Sequence, residues 1–420
     1  MTAVHQLVPS VVPYDATSGH TLQVQRALRD AGFESEIFAL AVHRTYEGRV
    51  HLVHQLEGAS PPGTHLLYQF SSVSELADTV LARRHHVAID YHNVSPPALF
   101  AGWDLGMARS LQAGQLQLAQ LARAAALGIG DSAFDVADLE RLGVPSTAVV
   151  PVLVDMDALL VEPDPRVADD LARRRDAGGP LWLFVGSIAP HKAQHRLVQA
   201  LAEHRRIYDS GARLVLVGRT LSGTYQTALR RLVRHLGLDQ AVELPGAVDQ
   251  HQLAAYFAGA DVFVSASTHE GFGVPLLEAM AHDVPVVALA AGAVAETVGP
   301  AGLVLGSETA GVAPGVGAAG VASATGAGVV LGSGSDASRR PRGIGPRRVG
   351  GDLDTDAVSG GVALRRWAGP QALAAAVARV LGDEALRRHL QAAGRRRVAH
   401  FSLQRSRAAL VEAVTRWVSA

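Results

Sequence analysis

At 420 residues with 48% hydrophobic content, the chain is long enough for two domains with cores of their own. Its formal net charge of −1 excludes a duplex-wide basic footprint, and no signature motif for binding RNA or DNA occurs, so a nucleic-acid partner is not expected. Cysteine is absent, which excludes disulfides, thiolate metal sites and Cys nucleophiles.

The opening "MTAVHQLVPSVVPYDA" lacks a charged region followed by a long apolar core, and no run reaches the ~18 apolar residues of a membrane span. The expected compartment is the cytoplasm. Short apolar runs then alternate with helical patterns: "HQLVPSVV", a helix from about 21 to 31, "SEIFALAV", "THLLYQF", a helix over 73–83, "HVAIDYH", "ALGIGDS" and "STAVVPVLV". Such βα units predict a parallel sheet covered by helices. Residues 155–179, polar and punctuated by Pro and Gly, read as the hinge before a second series.

That series opens with "LWLFVGSIAP" and runs through a helix over 191–205, "RLVLVGRT", helices over 223–236 and 249–259, "DVFVSAS" and "VPVVALA". The fold class is therefore α/β, with two Rossmann-like, doubly wound parallel-sheet domains. We place the first domain at 1–165 and the second at 166–400, with a C-terminal helix in 401–420 crossing back to the first. Residues 306–366, rich in Gly, Ala and Ser with arginines at 339, 340, 342, 347 and 348, break the rhythm and read as a flexible insertion.

Ligands of such sheets bind beyond the carboxyl ends of the strands, so "VGSIAPHK", "VGRT" and "SASTHEGFG" should gather at one cleft. In "HEGFGVPLLEAM", residues 269–280, Pro275 suits the first turn of a helix, and Gly271 and Gly273 form the loop entering it. Glycines let backbone N–H groups approach an anion, and the helix N-terminus adds partial positive charge, so the stretch resembles a phosphate cradle. Glu270 and Glu278 would repel phosphate themselves, but could accept hydrogen bonds from hydroxyls on either side of it. A Gly-rich turn with an acid favoured by the helix dipole would look the same. Lys192 is the only lysine among the 38 basic residues.

Other strings are weaker. "GVGAAG" at 315–320 matches GxGxxG without a strand before it or a helix after it. "DLDTD" at 352–356 fails as a calcium loop, because Ala357 and Ala363 stand where Gly and Glu are needed. His191 and His195 in "HKAQH" lack the glutamate of a zinc protease and read as surface histidines at a helix start. His92 and Asn93 follow a strand at the carboxyl edge of the first sheet, where a capping or core histidine would also fit.

Together, "VGSIAPHK", "LVLVGRT", the long stretch from "LPGAVDQ" to "GLVL" and "YHNVSPP" resemble the family 4 retaining glycosyltransferases of the GT-B fold, with the two domains facing across a cleft. The 269–280 stretch then matches that family's E-x7-E signature. The resemblance implies that Glu270 contacts the donor sugar near the reaction centre and Glu278 the ribose. It gives the amides of Gly271, Phe272, Gly273 and Val274 to the diphosphate, Lys192 to the departing diphosphate, His92 to the sugar side, and Gly19 in "TSGHT" to the first loop near the donor. Where the family carries arginine this chain has Ser187, and Arg219 is the candidate replacement.

The implied reaction moves a hexose from a nucleotide-diphosphate donor, with retention, to a glycan, lipid-linked sugar or other hydroxyl acceptor, without a metal or other cofactor. Peripheral contact with the inner membrane face goes with a lipid-linked acceptor. The alternatives are a non-catalytic nucleotide-sugar-binding protein that lost turnover through Ser187, or another GT-B activity, a phosphorylase or sugar-nucleotide epimerase.

Overall fold

Thirteen apolar runs become strands in a computed structural model that describes residues 2–13, 15–59, 63–82, 86–176, 178–306 and 369–420. The "GVGAAG" and "DLDTD" strings and the arginine cluster lie outside the described residues. Strands β1 (Val4–Val11), β2 (Ile37–Val42), β3 (His51–Leu52), β4 (His65–Phe70), β5 (Val87–Tyr91), β6 (Leu127–Gly130) and β7 (Thr147–Val149) form one parallel sheet in the order β3-β2-β1-β4-β5-β6-β7. Strands β8 (Leu181–Val185), β9 (Arg213–Val217), β10 (Val242–Gly246), β11 (Val262–Ser265), β12 (Val286–Leu289) and β13 (Gly302–Leu305) form the second, in the order β10-β9-β8-β11-β12-β13. The central strands β5, β6, β11 and β12 are buried along their whole length, as expected where helices cover both faces of a parallel sheet.

Each sheet reverses its winding once, between β1 and β4 in the first and between β8 and β11 in the second. Chains leaving the carboxyl ends there diverge and open a crevice. The two crevices face each other, which is what places the site.

Three sequence expectations change. The first helix begins at Ala16, not near residue 21, because the Asp15 side chain caps it by accepting from Ser18 N at 2.9 Å. The stretch read as a hinge contains a helix, Pro165–Asp176, whose Leu171 is buried against the Gln250–Gly259 helix. Val167 and Leu171 are its only large apolar positions besides capping contacts, too few to show a helical period. His191 and His195 are not surface residues: His191 is only 9% exposed, and His195 is half-buried against Tyr225, whose hydroxyl lies 3.0 Å from Nδ1.

After the Pro370–Gly382 and Glu384–His400 helices, the Leu403–Ser419 helix packs on the first domain. Leu410, Val414 and Trp417 join a core with Val4, Val24, Leu28 and Leu153.

Candidate functional site

The loop after β8 is shaped by close backbone approach. A Cβ on Gly218, at φ +148°, would lie 2.1 Å from the Gly186 carbonyl oxygen. Only glycine allows these two strand-end loops to cross. Pro190–Lys192 makes a single 3₁₀ turn, ended by Ala193 in the left-handed region at φ +48°. The Gln194 side chain steadies the turn by donating to the Ser187 carbonyl at 2.8 Å. Lys192 Nζ thereby comes 2.6 Å from Glu270 Oε2.

Glu270 stands on an equally constrained loop. Its carbonyl accepts from Ala293 N at 2.9 Å. A Cβ on Gly292 would come within 2.1 Å of that same oxygen, so no larger residue fits there. Thr268 donates both N–H and hydroxyl to the His191 carbonyl, at 2.8 and 3.0 Å, tying this loop to the lysine turn. Gly273, at φ +91°, precedes the Val274–Ala281 helix, with Pro275 in its first turn. Phe272 is buried edge-on to Phe401, and its carbonyl accepts from Thr297 Oγ1 at 2.6 Å. Among the described residues, no protein acceptor answers the N–H groups of Gly271, Phe272 or Gly273. Free amides at a helix N-terminus favour an anion. Two turns of chain further on, burial pushes the Glu278 carboxyl up to about 7.

The first domain faces this loop with the ends of β1, β5 and β6. His92 Nδ1 lies 3.0 Å from Asp131, and Nε2 lies 2.7 Å from Gln69 Oε1. Gln69 donates its own amide N–H to Gln6 at 3.0 Å, so its oxygen must face His92 and both ring nitrogens donate. Burial alone would lower the His92 pKa, but Asp131 and Asp90 outweigh it and raise it to about 9. His92 is therefore a buried cation with neither nitrogen free. His20 accepts from Leu153 N at Nδ1 and meets Asp90 at Nε2, both at 2.9 Å. His20, Asp90 and His92 come within 4.8 Å of one another, yet every ring nitrogen has a protein partner. The cluster is a hydrogen-bonded network, and it does not offer a metal a ready set of ligands.

Hydrogen bonds join the two faces. Ser132 Oγ donates to the Gly271 carbonyl at 2.7 Å, and Ala133 N to Glu296 at 3.0 Å. His269 Nε2 meets Asn93 Oδ1, while Asn93 Nδ2 donates to Asp135. Burial, with Asp131 adding to it, raises the Asp135 carboxyl to about 8. Between the faces lies a cavity of about 230 Å³, lined among others by Thr17, His92, Lys192, His269, Glu270 and Gly271.

Of the residues expected at the site, Glu270, Lys192, His92, Gly271, Phe272 and Val274 line this cavity. Glu278 sits within the helix that follows. Ser187 is not part of the lining; its carbonyl accepts from the Gln194 side chain at 2.8 Å. Arg219 is exposed at the end of β9, its carbonyl accepting from Ile188 N at 2.9 Å. Gly19 does not belong to a loop: it lies exposed in the Ala16–Asp30 helix, outside the lining, where Ala16, Thr17 and His20 take its place. Sequence reading missed Asp131, Ser132 and His269. "GIGDS" carried the same signal as "VGRT", polar residues at the carboxyl end of a strand.

Residues 170–310 match the family model described as glycosyl transferases group 1. A GDP-mannose-dependent alpha-(1-6)-phosphatidylinositol monomannoside mannosyltransferase of Mycobacterium tuberculosis is 37% identical over 161 residues, 36% of this chain and 40% of that protein. A D-inositol 3-phosphate glycosyltransferase of Kineococcus radiotolerans is 37% identical over 160 residues, 37% of each. The matched stretch thus spans about two-fifths of the length of these curated relatives. Among solved structures, Anabaena Alr3699/HepE in complex with UDP-glucose has a TM-score of 0.64 at 17% identity, covering 99% of this chain and 100% of that one. Sucrose-phosphate synthase from Thermosynechococcus elongatus has a TM-score of 0.62 at 19% identity, covering 97% of each. The two facing parallel sheets are the GT-B fold.

Proposed function

Because residues 170–310 match the family model of the group 1 glycosyl transferases, we propose that this chain moves a hexose from a nucleotide-diphosphate donor to a hydroxyl acceptor, with retention at the anomeric carbon. The observation that carries the reading is the meeting of Lys192, Glu270, Gly271 and Phe272 at one cavity, the amides of the last two unanswered. The diphosphate would lie on those amides and on that of Val274, at the helix N-terminus. Lys192 would take the charge that grows on the leaving phosphate. Glu270 would then turn toward the sugar, and Glu278 would accept from the ribose hydroxyls.

The names of the curated relatives favour GDP-mannose as donor and an inositol-containing or lipid-linked acceptor. In the proposed step the acceptor oxygen bonds to the anomeric carbon on the face from which the phosphate leaves, and the phosphate oxygen takes the acceptor proton. Lys192 and the helix dipole supply the electrostatics a metal would otherwise provide, and no further cofactor is required. His92 contributes as a buried positive charge on the sugar side, since its nitrogens are taken. Arg219 is proposed to reach the diphosphate in place of the cation missing at Ser187. Unchanged donor affinity and turnover in Arg219→Ala would sink that assignment. Among the described residues no helix is long and apolar enough to cross a membrane; contact with a lipid-linked acceptor is proposed to be peripheral.

The missing cation at Ser187 favours a second reading, a non-catalytic protein that only binds the donor. The test is incubation with GDP-mannose and an inositol phosphate or phosphatidylinositol mannoside, with and without a chelator, reading the anomeric configuration by NMR. An α-linked product formed in either condition is expected. A β-linked product contradicts retention, loss with the chelator contradicts metal independence, and donor binding without product selects the second reading. Phosphate-dependent cleavage, or conversion of the donor alone, would select a phosphorylase or an epimerase.

A further inference from the structure

His269 stands immediately before Glu270 and lines the same cavity, yet the transfer reading gives it no task. Its ring is fixed from the opposite domain. Nε2 meets Asn93 Oδ1, and Phe134 packs edge-on to the ring at a centroid distance of 5.7 Å. Asn93 is itself constrained, held at φ +67° with its amide nitrogen donating to Asp135 Oδ1. Asparagine adopts the left-handed region more readily than most residues, so the side-chain type suits the backbone at this position. With the Asn93 amide nitrogen facing Asp135 and its oxygen facing His269, the proton of His269 sits on Nε2. Nδ1 is left as a lone pair with no protein partner among the described residues.

Burial holds the His269 pKa at about 4, with Lys192 adding to it and Glu270 opposing, so the ring is uncharged at neutral pH. An uncharged, acceptor-only nitrogen beside the Lys192–Glu270 pair does not suit a phosphate, which offers acceptors of its own. It suits a hydroxyl. We propose that His269, locked by Asn93 of the opposite domain, accepts a hydrogen bond from a hydroxyl of the transferred sugar and so distinguishes a sugar nucleotide from the bare nucleotide. This rests on the transfer reading and adds that hydroxyl recognition is completed by the first domain.

The test compares the affinities of GDP and GDP-mannose by calorimetry for the full chain, His269→Phe and Asn93→Gly. Phenylalanine keeps the ring against Phe134 and removes both nitrogens; glycine keeps the backbone conformation of residue 93 and removes the amide. The expected result is GDP affinity within twofold of wild type in both variants. GDP-mannose affinity should fall about tenfold in His269→Phe and less in Asn93→Gly, the scale of one lost hydrogen bond to a substrate hydroxyl. Equal losses for GDP and GDP-mannose, or no loss, would overturn the proposal while leaving the transfer reading intact. If His269→Phe does not fold, Asn93→Gly alone decides by the same comparison. Wild-type protein that binds neither GDP-mannose nor its UDP and ADP counterparts would overturn the transfer reading and this proposal with it.

Discussion

Lys192 Nζ lies 2.6 Å from Glu270 Oε2, each side chain less than a fifth exposed. The pair joins residues 78 positions apart on two strand-end loops, and without a donor each charge is balanced by the other. We predict that Lys192→Ala and Glu270→Gln each lower turnover about 10²-fold, the usual scale for removing one electrostatic group at a developing charge. The double variant should lose much less than the product of the two, since the residues act together. Steady-state kinetics on the three variants checks this; multiplicative losses would mean that the pair does not work as a unit.

The Glu278 carboxyl titrates at about 7 in the folded chain, against an ordinary value of 4.5, because it is buried. Between those values the folded chain keeps a proton that the unfolded chain has lost. Stability from this group is therefore full below pH ~4.5 and is lost as pH rises through about 7. Relative to Glu278→Gln, the wild type should weaken by about 3 kcal/mol between pH 4.5 and 7. Urea unfolding of both proteins across that interval measures the difference; parallel curves would contradict it.

Gly271 approaches the first domain too closely to leave room for a side chain. A Cβ there would lie 2.7 Å from Asn93 Cβ and 3.2 Å from Asp135 Oδ2. Gly271→Ala should fold normally but hold the loop away from the first domain, lowering turnover by up to about 10²-fold through misplacement of Glu270. Near-wild-type melting with impaired turnover is the expected pattern. Full activity would show that closure does not require this contact.

The crossing helix should be structural. Trp417 is buried against the first domain, edge-on to His65 at 4.8 Å. Trp417→Ala is expected to cost about 3 kcal/mol, and removal of residues 402–420 should prevent stable folding by exposing Leu410 and Val414 as well. A truncated chain with an unchanged melting transition would refute this.

The two parallel-sheet domains and the meeting of the Lys192 and Glu270 loops at one cleft were legible in the sequence for different reasons, whereas the ion pair between the two side chains was not. Apolar runs at regular spacing report strands directly, whereas Glu270 and Lys192 were found through strand-end position and family resemblance. What stayed hidden depended on distant partners. Nothing local shows that Asn93 meets His269, 176 residues away, or that Gln69 spends its oxygen on His92. Those bonds turn His92 from a residue expected to reach the sugar into a fully engaged cation. Gly19 was misplaced because Asp15 starts its helix ahead of any apolar period. The Pro165–Asp176 helix was read as a hinge because its charged side chains outnumber its two packed apolar residues, buried Leu171 and partly buried Val167.

The central claim is that Lys192 and the 270–274 loop hold a nucleotide diphosphate joined to a sugar. A thermal-shift panel of UDP, GDP, ADP and dTDP sugars on wild type and Lys192→Ala tests it most directly. Ligand at about 100 times its dissociation constant adds roughly 2.7 kcal/mol to the folded state, enough to raise the melting temperature by a few degrees. The account predicts a shift with one nucleotide base, GDP by the likeness to the curated relatives, that shrinks in Lys192→Ala. No shift with any of the four, or an equal shift in both proteins, would contradict it.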